Sequence, residues 1–548
     1  DNVEHAKVAY LEDIITAFPV ADFRERHESI WQTLRWAYQN WETSPVYLTL
    51  VGDDIFYPDS VDSLAYSVGV MPTWYDRCKV HESWLLDGGT VSDDYYGSLT
   101  GDTPPASRDQ VNSVLAIGRI PAWTPALCST YVAKVIRYES SGERGPWRNR
   151  IQVLADDNYQ GGSVDHIGHQ HMADELAAEL HGRSVLKQYL SAFPLDDYYE
   201  KPAAKAAVLQ TLNSGTAWTV FFGHGSADQL ADEKVLTTAD YDRLENELRP
   251  SVFVMLTAGN GSYFNRPGHE RGMCVRYLFM PRGGALAYVA SPTATWATPN
   301  KRLGIGLFSL LNERPTASLG ELLRDAKEPE QTVVRSYLLM GDPAVRVSTH
   351  ALSVTVQPEP DSSDPSRLLV SIDDAAFSAG WYHITLSVED SVAPLMEADY
   401  GFVRDSAVAE LQGEMSSTLT LDLPSLPSAR VKATVYVWNE SADGRAEVTL
   451  QSGLDAVVAH GHTAARRGAM RCRVADRAIR ITLTDRPRSG TLRVRIVDIR
   501  GRTVLQRQLP ADRELTIDLR HQGLAGGRYM LQALDGRATL GTAAVLVP

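Results

Sequence analysis

The 548-residue sequence predicts an α/β chain, in which a parallel-sheet region of about 348 residues is followed by a β-sandwich and a small all-β carboxy-terminal domain. Three observations carry this expectation. The apolar runs Ala217 to Phe222 and Ser251 to Thr257 do not alternate, are rich in β-branched and aromatic residues, and stop at glycine-containing polar turns. Such runs fit strands buried on both faces of a parallel sheet. After Val347 the texture changes to short alternating segments punctuated by Pro, Ser and Asp, which suggests a sandwich. From Gln451 onward the chain carries 17 Arg, no Lys and 8 acidic residues, against totals of 53 basic and 68 acidic, so the acidic excess lies in the first 450 residues. A domain with its own charge balance is marked off there.

Composition narrows the function classes. An acidic body gives no support to nucleic-acid binding, and no apolar segment approaches the roughly 20 residues that cross a bilayer, so no transmembrane segment is expected. Asp1 opens in mid-sequence, without a basic stretch and apolar core behind it, as in a trimmed or mature chain whose export signal lay upstream. Cys78, Cys128, Cys274 and Cys472 are scattered and form no C-x-x-C pair, which removes an obvious zinc knuckle or disulfide framework. The redox compartment stays open.

In chain order, Lys7 to Leu11 reads as a strand, and Phe23, Ile30, Leu34, Ala37 and Trp41 mark a helix. Val46 to Val51 is a buried strand ending in Gly52-Asp53-Asp54. The acidic turn Ser92 to Gly97 is a candidate calcium loop, although runs of Asp are commonly just solvated and no EF-hand pattern is present. Val114 to Pro121 is a strand leading to a helix around Thr124 to Tyr138. A second sheet is expected to start at Ile151 to Ala155, ending in Asp156-Asp157-Asn158, with a helix from about Ser163 to Leu180 after it. That helix carries His166, His169 and His171; the i, i+3 spacing can bind metal, but the glutamate of a zinc protease is missing, so ordinary core or surface histidines are expected. Gly283 to Ala290 is another buried strand, with Ser291 to Trp296 at its carboxyl end, and Leu339 to Pro343 closes the unit. Sandwich strands follow at 352–356, 368–372, 382–386 and 433–437. Residues 451–471 lack periodicity and read as a linker. Alternating strands resume at Ala478 to Leu483, Leu492 to Val497 and Gly526 to Leu531.

The informative places are the two turns, because ligands of open α/β sheets bind beyond the carboxyl ends of the strands. They read Phe221-Phe222-Gly223-His224-Gly225-Ser226 and Thr257-Ala258-Gly259-Asn260-Gly261-Ser262-Tyr263-Phe264. An apolar block before His-Gly, then an apolar block some thirty residues later, resembles the gingipain-type cysteine peptidases, whose fold is caspase-like. The resemblance implies an α/β caspase-like catalytic domain followed by an immunoglobulin-like sandwich. It implies a first subdomain at 1–150 whose amino-terminal unit is missing, so the chain is expected to begin inside a domain of a longer polypeptide. A catalytic subdomain at 151–348, the sandwich at 349–452 and a linker at 453–474 would follow. His224 would be the general base, Asp157 or alternatively Asp156 the acid that orients it, and the N–H groups of Gly225 and residue 258 the oxyanion donors. Either aspartate could instead cap the next helix. Ser291 and Trp296 would contact a polypeptide substrate. No cofactor is required for such catalysis, and calcium would be structural.

The resemblance breaks at one position. The family pattern places cysteine where this chain has Ala258, and a methyl group cannot attack a carbonyl. Either the cysteine has been replaced, which the retained His224 and its glycines favour, or the chain is a natural pseudo-peptidase that binds without cutting. Cys274, within Gly-Met-Cys-Val-Arg-Tyr-Leu, reads as the start of a buried helix rather than as a substitute nucleophile. At the other end, Asp498 to Val504 and Leu524 to Tyr529 resemble the type IX secretion sorting domain, expected over 475–548. This implies an exported protein, secreted or at the cell surface, with type IX outer-membrane components as partners. It leaves a type IX sortase and a secreted endopeptidase as the two enzyme classes.

Overall fold

The computed structural model describes residues 5–22, 25–54, 71–74, 91–140, 143–160, 163–264, 271–327, 332–348, 351–358, 367–375, 377–424, 430–450, 470–475, 478–483, 491–498, 503–510, 514–518, 527–535 and 538–547. Phe23, Cys78, residues 453–469 of the expected linker, and residues 499–502 and 524–526 of the sorting-signal segments lie outside them. The chain divides into two units, Asp1–Leu454 and Asp455–Pro548.

The first unit opens with helices α1 (Leu11–Ala17) and α2 (Arg26–Asn40). Residues 7–10 are not a strand: the run pairs with no strand among the described residues, and helix starts at Leu11, where Glu12 and Asp13 complement the positive helix end. There follow β1 (Tyr47–Val51), β2 (Ala116–Ile120), α3 (Pro125–Ser140) and β3 (Arg150–Ala155), then a short hairpin of β4 (Tyr159–Gln160) and β5 (Ser163–Val164), and α4 (His169–Ala178). The helix expected from Ser163 is thus shorter, because pairing with β4 draws Ser163 and Val164 into the hairpin, and Gly168, at φ 74°, turns the chain into α4. Next come β6 (Ser184–Tyr189), α5 (Pro202–Ser214), β7 (Trp218–Phe222), the hairpin β8 (Gln229–Leu230) and β9 (Leu236–Thr237), β10 (Ser251–Leu256), α6 (Met273–Leu278), β11 (Ala285–Ala290), α7 (Ala297–Glu313), α8 (Leu319–Ala326) and β12 (Leu338–Met340).

Ile151 does not open a second sheet. One sheet runs in the order β1-β2-β12-β11-β10-β7-β3-β6, and β12 joins its two parallel blocks: it pairs antiparallel with β11 and meets β2 in parallel through Met340 and Arg119. Every residue of β7, β10 and β11 is buried, as their unbroken apolar character predicts. Phe253 stacks on Tyr288, and Trp218 meets Phe308 of α7 edge-on.

Strands β13 (Val354–Pro358), β14 (Arg367–Ile372), β15 (Gly380–Val392), β16 (Phe402–Met415), β17 (Thr418–Asp422), β18 (Val431–Trp438) and β19 (Asp443–Leu450) form two sheets, β13-β14-β17 and β16-β15-β18-β19, around one apolar cluster that includes Val356, Leu368, Ile384, Val435 and Val448. The second unit holds β20 (Met470–Ala475), β21 (Ala478–Leu483), β22 (Thr491–Asp498), β23 (Thr503–Pro510), β24 (Glu514–Asp518), β25 (Gly527–Asp535) and β26 (Ala538–Val547), arranged as β20-β21-β24 and β23-β22-β25-β26. Residues 470–474, expected to be linker, belong to β20, which pairs with β21. Among the described residues no helix is long and apolar enough to cross a membrane.

The acidic turn after Ser92 is not an open cation loop. Asp93 takes a two-pronged contact from the fully buried Arg119, at 3.0 Å from Nε and 2.6 Å from Nη2, and Lys327 Nζ reaches both oxygens of Asp94 at 2.9 and 2.8 Å. Arg119 also donates to the carbonyls of Met71 and Pro72. Arg119→Met therefore leaves Asp93 as an unpaired buried charge and is expected to cost about 3–5 kcal/mol of unfolding free energy. Arg119→Met combined with Asp93→Leu should recover part of that loss in chemical denaturation; a double variant as unstable as Arg119→Met alone would show that the carbonyl contacts, not the ion pair, dominate.

Candidate active site

Main-chain register levels three strand ends. Ala155 of β3 pairs with Phe222 of β7, and Phe222 pairs with Leu256 of β10. Two residues further on, Asp157, His224 and Ala258 would stand abreast if the strands continued straight. At β3 the ladder holds for one residue more, the Asp156 N–H donating to Phe222 O at 2.8 Å, and it is the Asp156 side chain that reaches the neighbouring turn. Asp156 Oδ2 accepts from the His224 N–H at 2.8 Å and meets ring Nδ1 at 3.1 Å. Glycine is required between the strand and the histidine, because a Cβ on Gly223 would lie 2.6 Å from that of Asp156.

The acid against the ring is thus Asp156, not Asp157. Asp157 turns the other way, where its Oδ2 forms a wholly buried ion pair with Lys201 and its Oδ1 accepts from the Tyr159 N–H at 2.9 Å. The sequence could not separate two adjacent aspartates at a strand end, since alternation sends successive side chains to opposite sides. Burial raises the Asp156 carboxyl to about 6, against the hydrogen bonds and charge of His224, which lower it. For His224, burial works against the cation, but the hydrogen bond and charge of Asp156, with the charges of Asp165 and Asp232, outweigh it and hold the ring above its ordinary value. With Nδ1–H directed at Asp156, a neutral His224 presents its lone pair on Nε2.

The second turn is tied to the first. Asn260, fully buried, donates from Nδ2 to Ser226 O at 2.7 Å and accepts from the Tyr288 hydroxyl at 2.5 Å. Gly225 packs against Thr257, whose Oγ1 would lie 2.9 Å from a Cβ at that glycine. The N–H groups of Gly259 and Gly261 donate to Thr293 O and Ser291 O, both at 2.9 Å, and Gly259 has φ 69°. Ala258 is half-buried beside them. Ser291, expected to touch substrate, is instead buried, where its hydroxyl meets those of Ser336 and Thr293 and its carbonyl accepts from the Gly261 N–H. Trp296 is 48% exposed at the start of α7. Cys274 lies wholly buried in α6, where burial pushes its thiol up to about 12, in keeping with the helix reading.

Two neighbours of His224 escaped the sequence reading. His224 Nε2 lies 3.3 Å from Asp165 Oδ2, and the His169 ring meets the His224 ring edge-on at 5.0 Å. Burial, with the His224 charge, lowers His169 to about 4. Spacing pairs His169 with His166; its neighbour in the structure is His224, in the turn after β7, and no local pattern signals that. His166 is exposed and His171 packs on Tyr400. One ligand atom from each of Asp165, His169 and His224 lies within 4.8 Å of the others, and the same holds for Asp156, Asp157 and Glu233.

The sandwich also reaches this site through the loop between β15 and β16. Asn158 N–H donates to Asp399 Oδ1 at 2.9 Å, Asn158 Nδ2 to Ala398 O at 2.6 Å, Gln170 Nε2 to Tyr400 O at 2.8 Å and Leu395 N–H to Ser191 O at 3.1 Å. The segment after Asp157 and the helix that carries His169 are thereby fixed from outside the parallel sheet.

The sequence model of peptidase family C25 matches residues 4–348. No curated protein matches the chain. Among solved structures, the Arg-specific cysteine proteinase gingipain R is 17% identical, with 80% of this chain and 89% of the other covered and a TM-score of 0.46. The complex of the RgpB pro- and mature domains from Porphyromonas gingivalis is 16% identical, covering 80% and 92% at a TM-score of 0.46. Dimeric latent PorU from the same organism is 15% identical, with 95% of this chain and 49% of that one covered and a TM-score of 0.29.

Three carboxylates packed beside a single buried lysine make the site sensitive to pH. Glu233, buried and near Asp156 and Asp157, is raised to about 8, chiefly by burial and then by those two charges. The folded state therefore holds this proton through a range where the unfolded chain has lost it, and its contribution to stability, full below the ordinary carboxyl value, is lost as pH rises toward 8. Glu233→Gln, neutral throughout, is expected to flatten the fall in Tm between about pH 5 and 8. Parallel Tm–pH curves for the two proteins would place the titration elsewhere.

Proposed function

The chain belongs to peptidase family C25, the gingipain family of cysteine-type peptidases, and on that premise we propose that its cleft takes an extended polypeptide across the ends of β7 and β10. His224 acts as proton acceptor and Asp156 as the residue that fixes its tautomer and stabilises the imidazolium. Position 258 is where a thiolate would stand, and the N–H groups of Gly225 and residue 258 are the oxyanion donors. The observation that carries this reading is the His224–Asp156 contact, set beside Ala258 by strand register. With alanine there, the chain holds a peptide and does not cut it.

A cysteine at 258 would supply the missing step: His224 Nε2 takes the thiol proton, sulfur attacks the scissile carbonyl, and the imidazolium returns the proton to the leaving amine. Ala258 is half-buried, between the buried Thr257 and the half-buried Gly259. Whether a restored enzyme would be a sortase that removes cargo sorting domains or a secreted endopeptidase turns on the tail. We read the second unit, a lysine-free, Arg-rich pair of sheets, as a type IX sorting domain that carries the protein to the cell surface or beyond, with outer-membrane secretion components as partners. We read the seven-stranded sandwich as immunoglobulin-like, and the site as needing no cofactor.

Ala258→Cys should confer peptide cleavage that iodoacetamide abolishes. In that background His224→Ala is expected to lower kcat/KM by roughly 10²–10⁴-fold, with Asp156→Asn causing a substantial but smaller loss. Asp157→Asn should act mainly on Tm, through the stranded Lys201. A folded Ala258→Cys protein that neither cleaves a peptide library nor is alkylated at 258 would leave the pseudo-peptidase reading. Deletion of residues 470–548 is expected to leave the catalytic unit folded but retained in the periplasm of a type IX-competent host; unchanged export would remove the sorting assignment. A tail cleaved during export would mark a cargo peptidase, and a retained tail a sortase.

A further inference from the structure

The side of His224 that faces away from Asp156 is built for more than a proton. We propose that Asp165, His169 and His224 form a binding site for one divalent transition-metal ion of the zinc class, held by one ring nitrogen of each histidine and the Asp165 carboxylate.

The donor set is the chemistry zinc prefers, two imidazoles and a carboxylate with a fourth position left for water or a ligand. At metal–ligand distances of about 2.0–2.2 Å, neighbouring ligand atoms of a tetrahedral site stand roughly 3.3–3.6 Å apart. Asp165 Oδ2 and His224 Nε2 are already 3.3 Å apart, and the His169 donor lies within 4.8 Å of both, a gap that side-chain rotation can close. His169 is 5% exposed, and its Nε2 has no hydrogen-bond partner among the described residues. A buried ring nitrogen left without a partner is costly, and a bound cation would satisfy it.

The surroundings also have the form of a metal site. Asp156 holds the Nδ1 side of His224, the carboxylate–histidine arrangement that fixes the tautomer and makes the opposite nitrogen a better ligand. Asp165 is itself held: its Oδ1 accepts from the Ile167 N–H at 2.9 Å, and its own N–H donates to Asn158 O at 2.8 Å, so Oδ2 is the oxygen left for His224. Gly168, in the left-handed region, turns the chain between Asp165 and His169 so that both residues reach one side of the ring.

Binding here does not rest on the peptidase reading, and no thiol is needed. The two are linked by one lone pair. A metal on His224 Nε2 occupies the electrons that would accept a proton, so the metal-bound protein has no general base.

The test uses the full chain as it stands, with Ala258, stripped by chelator and titrated with Zn²⁺ in a calorimeter and with Co²⁺ by visible absorption. One equivalent is expected, with the intense d–d bands of a four- or five-coordinate ion. His169→Ala and Asp165→Asn should each weaken Zn²⁺ binding by at least about 100-fold, and Asp156→Asn by about 10–100-fold through its hold on the ring. His166→Ala, on the exposed neighbour, should leave affinity unchanged. His169→Gln, of similar size, with its melting curve, guards against an effect of misfolding. Equal affinity in the chain and in Asp165→Asn and His169→Gln, or weak binding that His166→Ala abolishes, would overturn the site and leave Asp165 as a counter-charge to His224. Loss of peptide cleavage in Ala258→Cys would not bear on this result, because metal binding is read without turnover.

Discussion

Parallel pairing of β7 with β3 on one side and β10 on the other is the constraint on which the rest of the molecule depends. Each hydrogen-bonded register fixes the height at which a strand stops, and three strands that stop together bring Asp156, His224 and Ala258 to one edge from distant positions in the chain. Side chains that meet this way need little further positioning. Gly223 then allows the last approach, since any side chain there would collide with Asp156. A cross-link by Asn260 locks the two turns, so the geometry around His224 is held by buried amide contacts rather than by surface loops.

Burying so many charges around this edge is expensive unless each finds a partner. The protein meets the requirement in pairs: Arg119 with Asp93, Lys327 with Asp94, Lys201 with Asp157. Asp157 is therefore a structural residue whose partner lies in the segment leading to α5, while Asp156 is left to the histidine. One step further in, burial and then the charges of Asp156 and Asp157 raise the affinity of the Glu233 carboxyl for a proton, against a smaller opposing effect of Lys201. Electrostatics and core packing are here a single problem, met at these three cations by a specific carboxylate each.

The sandwich contributes to the site as well as following it. Its β15–β16 loop supplies Ala398, Asp399 and Tyr400 to residues that flank Asp157 and to the helix that bears His169. Phe402 joins the apolar core of the parallel-sheet region and packs on Tyr189 of β6. Residues 1–454 form one compact unit, and the β15–β16 loop packs beside the segment that follows Asp157.

Much of this was legible in the sequence. Unbroken apolar runs announced buried parallel strands, glycine-bounded turns marked their ends, and the motif around His224 pointed to the family, because local composition responds directly to burial on both faces and to the backbone freedom of turns. The absence of a nucleophile at 258 was equally plain, being a matter of chemistry at one residue. Tertiary structure alone decided which of Asp156 and Asp157 meets the ring, that Ile151 continues an existing sheet, that Ser291 turns inward, and that Asp165 and His169 surround the free side of His224. Each of these depends on a partner far away in sequence. Whether a strand-end aspartate serves a histidine or a lysine is set by which neighbour the register brings within hydrogen-bond reach, and a linear pattern holds no record of that distance.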